Sequence, residues 1–383
     1  MKNLISLIKT FISLVSIYIL SNFSKKKSKI IMFYFPVKIF QKNLLGIIKK
    51  LDKKNYTTLL AYNSSTIDEI KGHKKSFFLE FNLIKFIPFK DFFLKDIKIF
   101  LSSYFVYVFP PNSKNIYICH DIYDAPLVNK NLEKKIFLRI GRLDYIFTSS
   151  EISSDYYISK FNKYKIKDNP KLINSGYSKL DYVTKKINNK NNNKKDTILI
   201  APGFTYSFRK YNMTPYLEKI IDLLLKETSD RIVYRPHPLD STKKGDVFFV
   251  KKILSKFENN SRFCIDTSVS YLNSYKRAKF MITDISNTAY TFAFSTARPV
   301  IFFSKNENDL KNDIISDSHF YDDRNKIGKI INNYKKLSKE LSVINSKMNK
   351  YKNQIKVLRK KRIKYFGKAY EITVKNIEHI LKI

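Results

Sequence analysis

The residues best suited to chemistry in this 383-residue chain lie in YRPHP, 234–238, where Arg235 and His237 alternate with Pro236 and Pro238 after the apolar run RIVY. Proline fixes its own φ and drives the residue before it into extended geometry, so both side chains project from a stiff loop at the end of a predicted strand. In open parallel sheets ligands bind at that carboxyl end. A guanidinium is a permanent forked cation and an imidazole titrates near neutrality, so the pair suits a phosphate chain or its leaving group. A surface turn with an ordinary histidine is the plainer alternative.

A second cluster is TDISNTAYTFAF, 283–294. Asp284 closes a strand, Ser286 or Asp284 can cap the helix that follows, and the amides around Ser286, Asn287 and Thr288 form an anion site at the helix start. Capping alone accounts for the same residue types. His120 and Asp121 end the strand-like run KNIYIC. A histidine there can take a proton from an attacking hydroxyl, worth ~10²–10⁴-fold in rate, or it is a hydrogen-bonded loop residue. His73, His319 and His379 have no such context. The chain has no D-x-D to hold a metal on a nucleotide diphosphate and no C-x-x-C or H-E-x-x-H. Charge on a leaving phosphate is therefore expected to meet Arg235, His237 and helix-start amides, with no metal and no cofactor.

The elements that must position these groups read as alternating strands and helices. KIIMFYF, YTTLLAY, KIFLSSYFVYV, KNIYIC and LDYIFTS are strand-like, and 41–50 is an amphipathic helix. After INNKNNNKKD, 187–196, which has no hydrophobic period, the pattern restarts: TILIAP, a helix at 216–227, RIVYRP, a helix at 248–257, AKFMIT, a helix over SNTAYTFAF, and PVIFF. The predicted fold is α/β, with two Rossmann-like domains of GT-B-like type, an N-terminal amphipathic or membrane helix and a long C-terminal helix. The expected boundaries are 1–28 for the membrane helix and basic cluster, 29–186 for an acceptor-side domain, 187–196 for a linker, 197–326 for a nucleotide-donor domain, and 327–383 for a helical tail.

In residues 1–20 the polar Asn3, Ser6, Lys9, Thr10, Ser13 and Ser16 form one stripe of an otherwise apolar helix, followed by Lys25, Lys26, Lys27 and Lys29. An interfacial anchor on an anionic membrane, a single span and a signal peptide all compete for this segment. No A-x-A-like cleavage site follows, which counts against the last. Both other readings leave the body on the cytoplasmic face of the cell membrane. Across 327–366, Ile327, Ile331, Tyr334, Leu337, Leu341, Ile344, Met348, Tyr351, Ile355 and Leu358 recur every three or four residues. That predicts one long helix, packed along the body or paired in a homodimeric coiled coil. Net charge is +39, from 72 Lys+Arg against 33 Asp+Glu. Part of that excess fits a Lys- and Asn-rich codon bias; the rest favours anionic lipid or phosphorylated substrate. No zinc finger, RNP1-like strand or helix-turn-helix supports nucleic acid as a partner. Cys119 and Cys264 imply no disulfide framework.

The order of these motifs resembles the CDP-glycerol glycerophosphotransferase family, the teichoic-acid and capsule polymer enzymes, over about residues 110–305. The matching stretches are ICHDIYDAP, LDYIFTSS, GYSKLD, ILIAPG, YRPHP, and TDISNTAYTFAF followed by RPVIFF. The resemblance implies transfer of a polyol phosphate from a CDP-activated donor to a lipid-linked or polysaccharide acceptor. It also implies His120 as base, Arg235 and His237 on the diphosphate and Ser286 on phosphate. Where many members read His-Gly-x-Pro-Leu-Lys, Asp121 follows His120 here and the proline comes only at Pro126; a second serine common after Ser286 is Asn287. Two rival functions remain at this stage. One is a glycosyltransferase using a nucleotide sugar, attacked at carbon rather than phosphorus; the other is a non-catalytic polyanion-binding protein.

Overall fold

The computed structural model describes residues 2–23, 29–35, 41–63, 75–104, 106, 108–123, 128–129, 132–188, 195–204, 210–238, 240, 247–268, 270–315 and 318–382. The lysines at 25–27 and positions 189–194 of the expected linker lie outside them. The first eight strands are β1 (Ile30–Phe35), β2 (Thr57–Tyr62), β3 (Ser76–Phe78), β4 (Ile99–Ser102), β5 (Lys114–Ile118), β6 (Val128–Asn129), β7 (Tyr145–Thr148) and β8 (Lys171–Asn174). They are followed by β9 (Thr197–Ile200), β10 (Arg231–Tyr234), β11 (Phe263–Ile265), β12 (Ala278–Thr283), β13 (Val300–Phe303), β14 (Ile314–Ile315) and β15 (Gly328–Ile331).

The chain forms two compact units, Met1–Ala125 with Asn131–Tyr182 and Ile363–Ile383, and Pro126–Lys130 with Val183–Arg362. The first is built on a seven-stranded sheet in the order β3-β2-β1-β4-β5-β7-β8. The second has six strands in the order β11-β10-β9-β12-β13-β15, and β6 pairs with β14 as a small antiparallel ribbon. Every pairing within the two large sheets is parallel. Strands such as IIMFYF and TILI are buried along their whole length, as expected where helices cover both faces of a parallel sheet. In each sheet the chain winds outward from one central strand and then reverses, between β1 and β4 in the first unit and between β9 and β12 in the second.

The tail departs from the expected continuous helix. Gly328–Ile331 is the edge strand β15, and helices Leu337–Ser346 and Met348–Arg362 follow it. Ile327 and Ile331 fit a helical stripe by spacing alone. At Gly328, however, an added Cβ would lie 1.6 Å from the Val300 carbonyl oxygen, so the sheet closes around a residue without a side chain. Leu337, Leu341 and Ile344 are buried in the core of the second unit, with Met348 and Tyr351 packed against it. These residues pack along the body, the first of the two uses expected for the tail. The last helix, Ala369–Ile380, belongs to the first unit, where Val374, Ile377 and Ile380 pack with Leu44, Ile47 and Leu51. Asp181 fixes its start by accepting the amides of Gly367 at 2.7 Å and Ala369 at 2.8 Å.

The N-terminal helix Lys2–Asn22 lies on the first unit through Thr10, Leu14, Ile17 and Ser21. Part of its polar stripe therefore faces protein: Thr10 Oγ1 accepts the Glu80 amide at 3.2 Å. Leu4, Ile5, Ile8, Phe11, Ile12 and Ile19 remain exposed.

Candidate active site

In the second unit β10, β9 and β12 are neighbours, so the loops leaving their carboxyl ends come together. Asp284 joins two of them. Its buried carboxylate accepts the Gly203 amide at 2.7 Å and the Met213 amide at 2.9 Å, while Thr283 Oγ1 donates to the Ala201 carbonyl at 2.6 Å. A Cβ on Gly203 would come within 3.2 Å of Asp284 Oδ1 and of the Ile285 carbonyl. Asp284 was expected to bind phosphate or cap the helix; the N-cap residue of the helix makes no side-chain cap bond, and the Asp284 carboxylate clasps the β9 loop to the β12 loop at the reversal. Burial raises the pKa of its carboxyl, against the amides that favour the charged form.

Ser286 sits where the sequence placed it. Its Oγ accepts the Thr288 amide at 3.3 Å, and its carbonyl accepts the Ala289 amide at 3.2 Å. Asn287 takes the N-cap position of the helix Thr288–Thr296 without a side-chain cap bond. The Thr288 amide is thus bonded within its own turn, and an anion at this end would meet the Ser286 hydroxyl and the start of the helix.

Arg235 and His237 leave β10 in different environments. The Arg235 guanidinium turns to the β11 exit, with Nη1 2.8 Å from Asp266 Oδ2 and Nη2 donating to the Ser268 carbonyl at 2.6 Å. Burial works against the Asp266 carboxylate, but hydrogen bonds from Ser268 and Ser274 and the charge of Arg235 hold its pKa down. The guanidinium expected on a diphosphate thus also bridges to the loop after β11. His237 lies beside Phe204 of the β9 loop, ring centroids 5.4 Å apart, and its carbonyl accepts the Asp240 amide. Burial pushes its pKa down to about 4. It does not titrate near neutrality as the sequence suggested, and at pH 7 it is a neutral hydrogen-bonding ring.

Sequence reasoning missed Arg324, which lies wholly buried behind this clasp. Its Nη1 donates to both carboxylate oxygens of Glu307, at 2.9 and 2.8 Å, with its guanidinium carbon 4.5 Å from the Phe302 ring centroid.

In the first unit His120 follows β5. Its Nδ1 meets Tyr117 Oη at 2.5 Å and its Nε2 lies 3.3 Å from Asp121 Oδ2. The backbone of this loop is held by hydroxyls. Tyr177 donates to the His120 carbonyl at 2.6 Å, Ser149 to that of Ile122, and Ser153 to that of Tyr123 at 3.4 Å. Burial lowers the His120 pKa, the Asp121 carboxylate opposes that, and the charge of Lys179 adds to it. Lys179 is itself lowered by burial. Ser149 comes from LDYIFTSS, and Tyr177 and Lys179 come from GYSKLD, while Ser153 lies just beyond the first stretch; the sequence marked those stretches but carried no sign of which loop they would hold. Among the described residues no three His, Cys, Asp or Glu side chains gather as a metal site.

The profile of the family described as CDP-glycerol:poly(glycerophosphate) glycerophosphotransferase matches residues 117–378, from the strand before His120 to the last helix. The chain belongs to this family. As a member it is a glycerophosphotransferase, working with a donor of the CDP-glycerol type and a polymer acceptor. Its fold is that of the wall teichoic acid polymerase TagF, with 17% identity, a TM-score of 0.63, and 100% of this chain and 97% of that chain covered. A TagF histidine variant soaked with CDPG gives the same TM-score of 0.63 at 17% identity over the same shares, 100% and 97%. The UDP-GlcNAc 2-epimerase of Methanocaldococcus jannaschii, in complex with UDP-GlcNAc and UDP, is similar at 14% identity and TM-score 0.62, covering 91% of this chain and 99% of that one. No curated protein matches the chain by sequence. The glycerophosphotransferase thus carries its candidates in two places, the His120 loop after β5 and the loops after β9, β10 and β12, of which the first and last are clasped together.

Proposed function

We propose that the protein transfers a glycerol-phosphate unit from CDP-glycerol to a hydroxyl of a lipid-linked or polysaccharide acceptor at the cytoplasmic face of the cell membrane. His120 takes the proton of the acceptor hydroxyl, and that oxygen attacks the glycerol-bearing phosphorus. The bond from that phosphorus to the bridging oxygen breaks, and CMP leaves with the electron pair. The second unit holds the donor through the loop after β9, His237 and Ser286, whose hydrogen bonds meet the charge growing on the leaving phosphate without a metal. The observation that carries the donor assignment is the Asp284 clasp, because it holds the loops after β9 and β12 together at a strand-order reversal, where ligands of open parallel sheets bind. Arg235 is assigned to the loop rather than to the donor.

The membrane assignment is supported by one outward face. Beside Leu4, Ile5, Ile8 and Phe11 of the N-terminal helix, the segment after β3 exposes Phe86, Phe89 and Phe92, with Lys85 4.8 Å from the Phe86 ring and Lys95 4.3 Å from that of Phe92. The helix spans Asn3–Asn22 with a mean hydropathy of 2.0, long and apolar enough to cross a bilayer. Its buried stripe favours a helix lying against the body with its apolar side in lipid.

The test is a mass-spectrometric screen of the full-length protein with CDP-glycerol, CDP-ribitol and UDP-, GDP- and CMP-sugars, run with and without EDTA. CMP release and acceptor growth with a CDP-polyol, unchanged by EDTA, is the expected result. Turnover of a nucleotide sugar alone would overturn the donor assignment, and reversible loss in EDTA would overturn the metal-independent mechanism.

A further inference from the structure

The helix Met348–Arg362 of the second unit carries the basic run of the tail, and its packing separates the charges that serve the fold from those that do not. Seven of its 15 residues are lysine or arginine and none is acidic. Ile355 and Leu358 are buried, which turns one side of the helix to the body. Both arginines are used on that side. Arg362 holds the buried Asp323 carboxylate through Nε at 2.6 Å and Nη2 at 3.0 Å, and Arg359 Nη1 donates to the Phe294 carbonyl at 2.6 Å. The lysines, Lys350, Lys352, Lys356, Lys360 and Lys361, are exposed, and among the described residues none of them is paired with a carboxylate. Lysines elsewhere in the unit do find partners, as Lys252 and Lys256 do on Glu218. Nor does the run follow a general excess of lysine: the helix Leu337–Ser346 sets Glu340 beside Lys339, and Ala369–Ile380 carries Glu371 and Glu378 with Lys375.

Lys352, Lys356 and Lys360 recur every four residues, so they form a row on one face, about 12 Å from first to last at ~1.5 Å per residue. Like charges at this spacing work against a helix, and an anion lying along the row relieves them. A helix that enters a bilayer needs an apolar face turned outward. Here Ile355 and Leu358 face the protein core, and of the apolar residues only Val357 stands exposed. A soluble polyanion with regularly spaced charge therefore fits the row better than a lipid surface does. Through Arg359 and Phe294 the helix also lies against the last turn of Thr288–Thr296, which begins beside Ser286. That helix is about 13 Å long, a distance a polymer chain can span. We propose that the lysine row of Met348–Arg362 docks the poly(glycerol phosphate) acceptor, with phosphodiesters behind the growing end lying along Lys352, Lys356 and Lys360 while the terminal hydroxyl reacts. This rests on the acceptor being a phosphodiester polymer, and it is independent of which residue is the base.

The experiment compares the full-length protein with the triple variant Lys352→Gln, Lys356→Gln, Lys360→Gln, which keeps good helix formers at exposed positions, and with the matching triple glutamate variant. Each receives CDP-glycerol and either a primer with a single glycerol-phosphate unit or a long synthetic poly(glycerol phosphate) chain. KM for the long chain should rise on the order of 10-fold in the glutamine variant, the combined effect of three exposed ion pairs that are each small, and further in the glutamate variant. KM for the primer, kcat and donor affinity by calorimetry should stay at wild-type values, and the glutamine variant should melt no lower than wild type. Raising salt should weaken the preference for the long chain, less steeply in the variants than in wild type. Equal long-chain KM in wild type and a folded glutamate variant overturns the inference. So does a variant that keeps its long-chain KM but loses binding to vesicles of anionic phospholipid, which would assign the row to the membrane. Extension of neither acceptor by the wild-type protein would instead overturn the polymer-acceptor reading beneath it, so the two failures are told apart.

Discussion

In the first unit the chemistry-bearing loop follows β5, one strand beyond the reversal between β1 and β4, whereas in the second the loops after β9 and β12 flank the reversal itself. The side chains around the two sites also differ in kind. The β5 loop is gripped by neutral hydroxyls acting on its carbonyls, and its imidazole is left between a phenol and a carboxylate. The second unit uses its charged side chains, Asp284 and Arg235, to hold backbone in place. A diphosphate can be met by several fixed amides and hydroxyls, so rigidity of the backbone matters most there. A proton transfer depends on one nitrogen and on the charges around it. One strand order thus supports a site made of backbone and a site made of a tuned side chain.

The sharpest break in that comparison is between His120 and His237. His120→Ala should lower the single-turnover rate by ~10²–10⁴-fold while donor affinity measured by calorimetry stays near wild type. His237→Ala should weaken donor binding and also slow transfer, because charge on the leaving phosphate grows toward the transition state. A folded His120→Ala enzyme with near-normal rates would remove the division of labour. His237 carries a stability signature as well. With its folded pKa at about 4 against 6.5 in the unfolded chain, the unfolded state binds a proton between those values that the folded state refuses. Stability should therefore fall as pH drops through that window, by up to ~3 kcal/mol. His237→Gln should flatten that part of a denaturation-against-pH series.

Next in size is the clasp. Asp284→Ala leaves the Gly203 and Met213 amides without their acceptor in a buried setting, at a cost of ~1–3 kcal/mol for each unsatisfied group. Denaturant unfolding should show a loss of ~2–5 kcal/mol, and donor affinity should fall with it although Asp284 touches no donor in the proposed mechanism. If the affinity holds in a destabilised variant, the β9 loop does not need the clasp and the backbone account of this site is wrong.

How much of this was visible beforehand follows from what each signal encodes. Runs such as IIMFYF and TILI are apolar at every position because both faces are covered, and so they could be read directly as strands. YRPHP and the Asp284–Thr288 stretch fell at strand ends, as expected, because prolines and the start of a helix mark such boundaries. Which way a side chain turns from a strand end is set by neighbours distant in sequence. Asp284 was expected on phosphate or as a helix cap and Arg235 on a diphosphate, and no sequence signal pointed to the neighbours that hold them, Gly203, Met213, Asp266 and Ser268. The last helix was equally opaque, since an amphipathic pattern does not say which of two cores it completes. β15 was read as helix because Ile327 and Ile331 suit either period, and only the close approach of Val300 to Gly328 settles it.

Arg235 offers the smallest effect and the finest test of the contrast. If its guanidinium held the diphosphate, truncation would remove a charge-assisted contact and donor affinity would drop by well over tenfold, since hydrogen bonds to charged groups are worth ~1.5–3 kcal/mol. In the structure that guanidinium lies 2.8 Å from Asp266 and donates to the Ser268 carbonyl, with both charged side chains largely buried. Arg235→Ala should then cost ~1–3 kcal/mol of stability, because the buried Asp266 carboxylate loses its charged partner, while donor affinity changes less than ~3-fold, below ~1 kcal/mol. The double variant Arg235→Ala with Asp266→Asn should recover part of the stability, the non-additivity expected of a directly coupled pair. Lysine at 235 should restore less than the native residue, because a single ammonium cannot span both the Asp266 carboxylate and the Ser268 carbonyl as the fork does. A large loss of donor affinity with little loss of stability would return Arg235 to the ligand, and the second site would then rest on a charged side chain as the first does.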